Sequence, residues 1–188
     1  MTPKQQVLFI QGAGERVHDE WDDKLVASLR RSLPPQYELR YPRMPDEANP
    51  SYASWATAIR SELAGLADDA ILIGHSLGGT ILIQSLAEQP PPRRVSAIVL
   101  IAAPFVGDGG WQTDEWTPQR DLGEKLPPGV PVHLFHGAAD ATAPVSHLEL
   151  FAKAMPQARV HRLPGRDHQL DNDLREVGSV IEAIAAER

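Results

Sequence analysis

Ile71-Leu72-Ile73-Gly74-His75-Ser76-Leu77-Gly78-Gly79 is an apolar run that ends in a serine, with glycine two positions before it and two and three positions after. This is the outline of a nucleophile elbow, a turn that holds a serine hydroxyl out at the end of a rigid strand with room for an acyl group to approach. Such a turn forces the serine backbone into a sparsely populated conformation. A side chain at Gly74 or Gly78 would collide with the neighbouring strand or helix. The motif is short enough to arise by chance, so its setting decides. Ala70 to Ile73 reads as a strand running straight into it, and Thr80 to Glu88 reads as the helix that must follow.

Outward from this point, short apolar runs alternate with longer amphipathic segments. Strands are expected at Val7 to Ile10, Tyr37 to Tyr41, Ala70 to Ile73, Val95 to Ile101, Val132 to Phe135 and Ala158 to Arg162. Helices are expected near Trp21 to Ser32, Tyr52 to Leu66, Leu77 to Glu88, Val145 to Met155 and Asn172 to Ala186, with Pro144 placed to open the fourth. This βαβα order, with strands apolar on both faces, predicts an α/β fold: a parallel sheet covered on both sides, with active groups at the carboxyl ends of the strands. Two stretches depart from the rhythm. Phe105 to Gly129 is a long connection carrying Trp111 and Trp116, read either as a cap over the site or as a surface loop, and Pro42 to Pro50 is either a rigid turn or a wall of the cleft. Pro90-Pro91-Pro92 marks a stiff surface turn.

Composition narrows the function classes. With 188 residues and no linker or shift in composition, one domain over 1–188 is expected. A net charge of −7 argues against nucleic acid or an anionic membrane surface as partner. The chain has no cysteine, which excludes disulfides, thiolate catalysis and cysteine-based zinc sites. Met1 to Gln6 holds no long apolar stretch and Val7 to Ile10 is too short for a signal-peptide core or a membrane span, so a cytoplasmic location is expected.

A serine nucleophile needs a base, and the base needs an orienting acid. Of His18, His75, His133, His136, His147, His161 and His168, only His168 sits in a loop after the last strand, where a ring can reach back across the carboxyl edge of the sheet. His75 should project away from the nucleophile across the turn, and His133 is more simply a packed strand residue. Asp140, in the loop after the fifth strand, would neighbour the His168 loop at that edge. The competing reading of Asp140 is a helix cap; Asp108 is the substitute acid, with Asp167 and Asp171 weaker because of their nearness to His168 in sequence. Two backbone donors must receive the oxyanion. Leu77 N–H supplies one, and Gln11-Gly12-Ala13-Gly14 after the first strand supplies the other, at Ala13. Dinucleotide binding fails on spacing, since the third glycine of Gly-x-Gly-x-x-Gly would fall at Val17, and no Gly-Lys-Ser/Thr phosphate loop is present.

These marks resemble a family. Gly12-Ala13-Gly14, Tyr41-Pro42-Arg43-Met44-Pro45-Asp46, Gly74-His75-Ser76-Leu77-Gly78-Gly79, Ala97-Ile98-Val99-Leu100-Ile101-Ala102 and the Asp140 and His168 loops are similar to the small serine hydrolases of the α/β-hydrolase superfamily, the retinoblastoma-binding serine hydrolase and YdeN-like family. The resemblance covers nearly the full length. It implies a compact α/β-hydrolase fold of six parallel strands in order 2-1-3-4-5-6 with the usual large lid reduced to a short loop. One departure is Gln11, where many superfamily members carry histidine, so only the backbone role of Ala13 carries over.

The expected chemistry is two-step acyl transfer through a triad of Ser76, His168 and Asp140, on a small or medium carboxylic ester, thioester or activated amide. The apolar acyl part is expected beside Met44, Phe105, Trp111 and Trp116. No metal or organic cofactor is expected, because no helical His-x-x-x-His or similar ligand spacing occurs. The competing class is a protein-binding module on a hydrolase scaffold, and within enzymes, acyl transfer to an acceptor other than water.

Overall fold

The computed structural model describes residues 4–186, so the start of the Met1 to Gln6 segment lies outside the described residues. Its elements are β1 (Gln5–Ile10), α1 (Asp22–Ser32), β2 (Tyr37–Arg40), α2 (Tyr52–Ala64), β3 (Ala70–His75), α3 (Ser76–Glu88), β4 (Val95–Ile101), α4 (Leu122–Lys125), β5 (Val132–Gly137), α5 (Ser146–Ala154), β6 (Arg159–Leu163) and α6 (Arg175–Ala186). The strands form one sheet in the order β2-β1-β3-β4-β5-β6, and every neighbouring pair is parallel. This is the six-stranded parallel order that the family resemblance implies.

The continuous apolar runs are explained by what lies on each face. Successive side chains of a strand point to opposite sides of the sheet. Leu8, Ile10, Leu72, Ile98, Leu100 and Leu134 therefore enter one core with Trp55, Ile59 and Leu86 of α2 and α3. Val7, Phe9, Ile71, Ile73, Val99 and Phe135 enter the other with Leu25 and Leu29 of α1 and Val177 and Ile181 of α6. Because both faces are covered, neither set can be polar, and the alternation seen in half-exposed strands is lost.

Boundaries differ from the periodicity at points that matter for the site. A π-helical turn, Val17–Trp21, precedes α1 and delivers Asp22 to the interior. The last helix begins at Arg175, not Asn172, because Leu170, Asp171 and Asn172 all take left-handed backbone angles (φ 48°, 54° and 56°). Asp and Asn adopt that conformation more readily than most residues, whereas Leu170 is held there with its side chain fully buried. The long stretch after β4 contains α4 and a bridge between Val106 and Trp111. It is tied to α3 by the Gln119 N–H, which donates to Gln84 Oε1 at 2.7 Å, and to α2 by Trp116 stacked on Tyr52.

Candidate active site

β3 ends at His75 and α3 begins at Ser76 with no residue between them, so the chain reverses direction at the serine itself. Ser76 has φ 50°, a left-handed value that a non-glycine residue adopts only when its surroundings impose it. The glycines make those surroundings possible. A Cβ at Gly74 would lie 2.4 Å from Gly79 Cα, and one at Gly78 would lie 1.9 Å from the Gln11 carbonyl oxygen. Gly74 thus lets α3 pack on its own strand, while Gly78 admits the loop after β1.

At the carboxyl edge of the sheet, three loops bring the predicted polar side chains into one line. The Ser76 hydroxyl lies 2.9 Å from His168 Nε2, and His168 Nδ1 lies 2.7 Å from Asp140 Oδ2. The carboxylate requires a proton on Nδ1, which leaves Nε2 as the acceptor for the serine hydroxyl. Asp140 does not cap α5, which has Val145 at its N-cap and no side-chain cap hydrogen bond; its two oxygens are divided between a local turn and the imidazole. Oδ1 accepts the Thr142 and Ala143 amides at 2.8 and 2.9 Å, which anchors the acid in its own turn and leaves Oδ2 for the imidazole. His136 Nε2 approaches the same Oδ2 at 3.2 Å. Burial pushes the Asp140 carboxyl up, but hydrogen bonds from His136 and His168, the His168 charge and the Ala143 amide outweigh it and hold the group well below the usual carboxylate range.

The loop after β1 abuts Ser76. A Cβ at Gly12 would lie 3.1 Å from Ser76 Cβ, so the backbone of Gly12 and Ala13 passes directly beside the elbow. Leu77 N–H belongs to the first turn of α3, where amides have no intrahelical acceptor. Gln11 supports this loop through its side chain: Oε1 accepts the Met44 N–H at 3.0 Å and Nε2 donates to Glu47 Oε2 at 2.6 Å. Glu47 also accepts the His18 amide, and its carbonyl accepts the Gly14 N–H at 2.7 Å. The glutamine thus ties the loop to the Pro42 to Pro50 turn.

The apolar residues expected around an acyl group are not all brought together. Phe105 and Trp111 line one cavity of about 420 Å³ with Leu150 and Lys153 of α5. Trp116 stacks on Tyr52, with ring centroids 4.3 Å apart. Met44 is only 1% exposed and packs in the core with Trp55, so it presents no surface to a ligand. Its turn is a rigid one because Gln11 and Trp55 each bond its backbone. Of the other acids, Asp108 is solvent-exposed near Arg120, and Asp167 accepts the Gln169 and Asp171 amides. Asp171 is half exposed near Arg166.

His75 does turn away from the serine, and what it turns towards is not visible in the sequence. Its Nδ1 lies 2.9 Å from Asp22 Oδ2 and its Nε2 lies 3.1 Å from the His168 carbonyl, so neither ring nitrogen serves Ser76. Asp22 reads in sequence as an ordinary acid in the first turn of a helix, and no local signal separates it from Asp23. Among the described residues no group of three or more His, Asp or Glu is arranged to hold a metal ion, and no helix is long and apolar enough to cross a membrane.

The geometry has counterparts. A family model described as serine hydrolase matches residues 7–172. No curated protein matches the chain. Among solved structures, the ydeN gene product of B. subtilis superimposes with a TM-score of 0.76 at 16% identity, covering 97% of this chain and all (100%) of that one. Est1E from Butyrivibrio proteoclasticus gives 0.71 at 17% identity, over 100% of this chain and 89% of that one. A monoacylglycerol lipase from Paleococcus ferrophilus gives 0.69 at 14% identity, over 99% and 97% of the two chains. At such identities the structural likeness speaks for the fold.

Proposed function

The chain belongs to the serine hydrolase family and is an enzyme of serine hydrolase type, and from this premise we propose that it cleaves small or medium carboxylic esters through an acyl-enzyme on Ser76. The observation that carries the reading is the unbroken chain from the Ser76 hydroxyl through His168 to Asp140, with contacts of 2.9 and 2.7 Å. In the first step His168 Nε2 takes the hydroxyl proton as Ser76 Oγ bonds to the acyl carbon. The resulting imidazolium is stabilised by Asp140, and the oxyanion is received by the Leu77 and Ala13 amides. His168 then protonates the departing alkoxide. In the second step it takes a proton from water as the water oxygen bonds to the acyl carbon; the bond from that carbon to Ser76 Oγ then breaks, His168 returns the proton to Oγ, and the acid leaves. Thioesters and activated amides would follow the same course with a different leaving group.

The apolar part of the acyl group is assigned to the side of Phe105 and Trp111; the cavity of about 420 Å³ that they line has none of Ser76, Leu77, Asp140 or His168 in its wall, so the assignment rests on the aromatic character of the two side chains and is tested by Trp111→Ala. Trp116 acts one step removed, by fixing the long loop on α2.

The test is labelling with a fluorophosphonate probe, read by intact mass and peptide mapping, on the wild type and Ser76→Ala, followed by hydrolysis of a p-nitrophenyl ester series. One adduct, on Ser76 of the wild type alone, together with turnover that is lost in Ser76→Ala, is the expected result. A folded wild type that takes no adduct and turns over no ester would refute the proposal and favour a binding role for the scaffold.

A further inference from the structure

Behind the nucleophile lie two ionisable side chains that the acyl-transfer steps do not use. Asp22 is 0% exposed and His75 is 1% exposed. A carboxylate is expensive to bury unless donors surround it. Asp22 has three: on Oδ2 the Gly12 N–H at 2.6 Å and His75 Nδ1 at 2.9 Å, and on Oδ1 the Gln169 Nε2 at 3.2 Å. The second ring nitrogen of His75 faces the carbonyl oxygen of His168 at 3.1 Å. Both neighbours of the ring are therefore acceptors. A neutral imidazole has one N–H and can satisfy only one of them, whereas the doubly protonated ring satisfies both.

The surroundings agree with that count. Burial pushes His75 down, but the Asp22 charge and hydrogen bond outweigh it, helped by the His168 carbonyl and the more distant Asp140 charge, and the imidazole is held above its ordinary value. Burial likewise pushes Asp22 up, and the charge and hydrogen bonds of His75, Gly12 and Gln169 hold it below the ordinary carboxylate value. The groups facing His75 are thus Asp22 from α1, the His168 carbonyl from the loop after β6 and Asp140 from the loop after β5. The His168 ring itself lies at a centroid distance of 5.1 Å.

We infer that Asp22 and His75 form a buried carboxylate–imidazolium pair that positions both halves of the reaction centre. Through the Gly12 amide it fixes the loop that carries Ala13, and through the His168 carbonyl it fixes the backbone of the base. Neither side chain contacts Ser76 Oγ, so both are positioning residues, and the inference rests on the roles proposed above for Ser76 and His168. The charge on Asp22 is essential to the device. An asparagine with its oxygen at the Oδ2 position still accepts from Gly12 and His75 but turns its amide group on the Gln169 Nε2 donor, so Asp22→Asn leaves Gln169 without its acceptor. It also removes the anion that offsets the positive charge of His75 beside a base that becomes positive during catalysis.

The experiment combines kinetics with ¹⁵N-detected NMR of the imidazoles, using His75→Asn to assign the signal and p-nitrophenyl acetate as substrate. In the wild type, His75 should carry protons on both ring nitrogens at pH 7. In Asp22→Asn it should become singly protonated at neutral pH, while kcat falls on the order of tenfold to a hundredfold, as expected for a sub-ångström misplacement, with KM changed less than about twofold. A residue that only supports the fold would lower the unfolding temperature without this split. A singly protonated His75 in the wild type, or a folded Asp22→Asn with wild-type kcat, overturns the inference. If Asp22→Asn does not fold, the wild-type protonation state decides. The fluorophosphonate probe on the same wild-type sample separates the two levels: absence of a Ser76 adduct overturns the site reading and the positioning role with it, whereas an adduct together with a singly protonated His75 overturns the pair alone.

Discussion

Gly137, the last residue of β5, offers a direct test of how closely the two polar loops must approach. A Cβ there would lie 2.3 Å from the Arg166 carbonyl oxygen and 2.4 Å from that of Asp167. Both obstacles are backbone atoms, so no side-chain rotation can relieve them. Bringing the nearer contact from 2.3 Å out to the 3.0 Å below which Cβ contacts are essentially never found requires a displacement of at least about 0.7 Å. The next residue along is His168, whose ring contacts are 2.7 and 2.9 Å. β5 is buried between two strands and cannot yield, so the displacement falls on the histidine loop. A misplacement of about 1 Å at a reacting group costs about a hundredfold in rate, so Gly137→Ala should lose roughly thirty- to a hundredfold in kcat/KM, or about 2–3 kcal/mol of transition-state stabilisation. The assay is steady-state hydrolysis of p-nitrophenyl butyrate, with thermal unfolding measured on the same preparation. Gly165→Ala is the control in the same loop: nothing lies within 4 Å of its Cβ position, but φ is 71°, so it should cost about 1 kcal/mol of stability by backbone strain and leave turnover unchanged. A folded Gly137→Ala with activity within about threefold of wild type would refute the reasoning.

Asp140→Asn should lower kcat by about a thousandfold or more, because an asparagine favours the wrong tautomer of His168, whereas Asp108→Asn, exposed near Arg120, should leave it unchanged; a larger loss in the Asp108 variant would overturn the assignment of the acid. Ser76→Ala and His168→Ala should each remove on the order of a thousandfold or more of turnover without altering the circular dichroism spectrum. His133 is buried on β5 with Nδ1 against His161 Nε2 at 2.9 Å, and burial, then the charges of His161 and Arg159, push it down to about 4 from 6.5. The unfolded chain therefore binds this proton first, and denaturation midpoints should fall as pH drops from 6.5 toward 4. His133→Phe should flatten that fall, and an unchanged slope would remove His133 as its cause. Trp111→Ala should weaken the preference for longer acyl chains in a p-nitrophenyl ester series, and an unaltered chain-length profile would dissociate the 420 Å³ cavity from the substrate.

Much of this protein is local, and what is local was legible. Strands apolar on both faces require a covered parallel sheet, and Gly74, Ser76 and Gly78 require a strand-to-helix turn with the hydroxyl outward. The chain order Ser76, Asp140, His168 places each polar residue just beyond a strand that ends at the same edge, so their convergence follows from topology. Residues whose partners are distant in the chain carried no such signal. Asp22 is distinguished from Asp23 only by a π-helical turn and a close-packed loop, and its partners Gly12, His75 and Gln169 come from three separate segments. Met44 illustrates the converse error. Its place after a strand suggests a cleft wall, but the bonds that Gln11 and Trp55 make to its turn draw the side chain into the core. Periodicity and turn chemistry are properties of neighbouring residues and so determine the sheet, the elbow and the order of the polar loops. Which buried charges face one another, and which aromatic residues share a cavity, is decided only when segments distant in sequence are packed together, because burial and hydrogen-bond pairing do not exist before that packing.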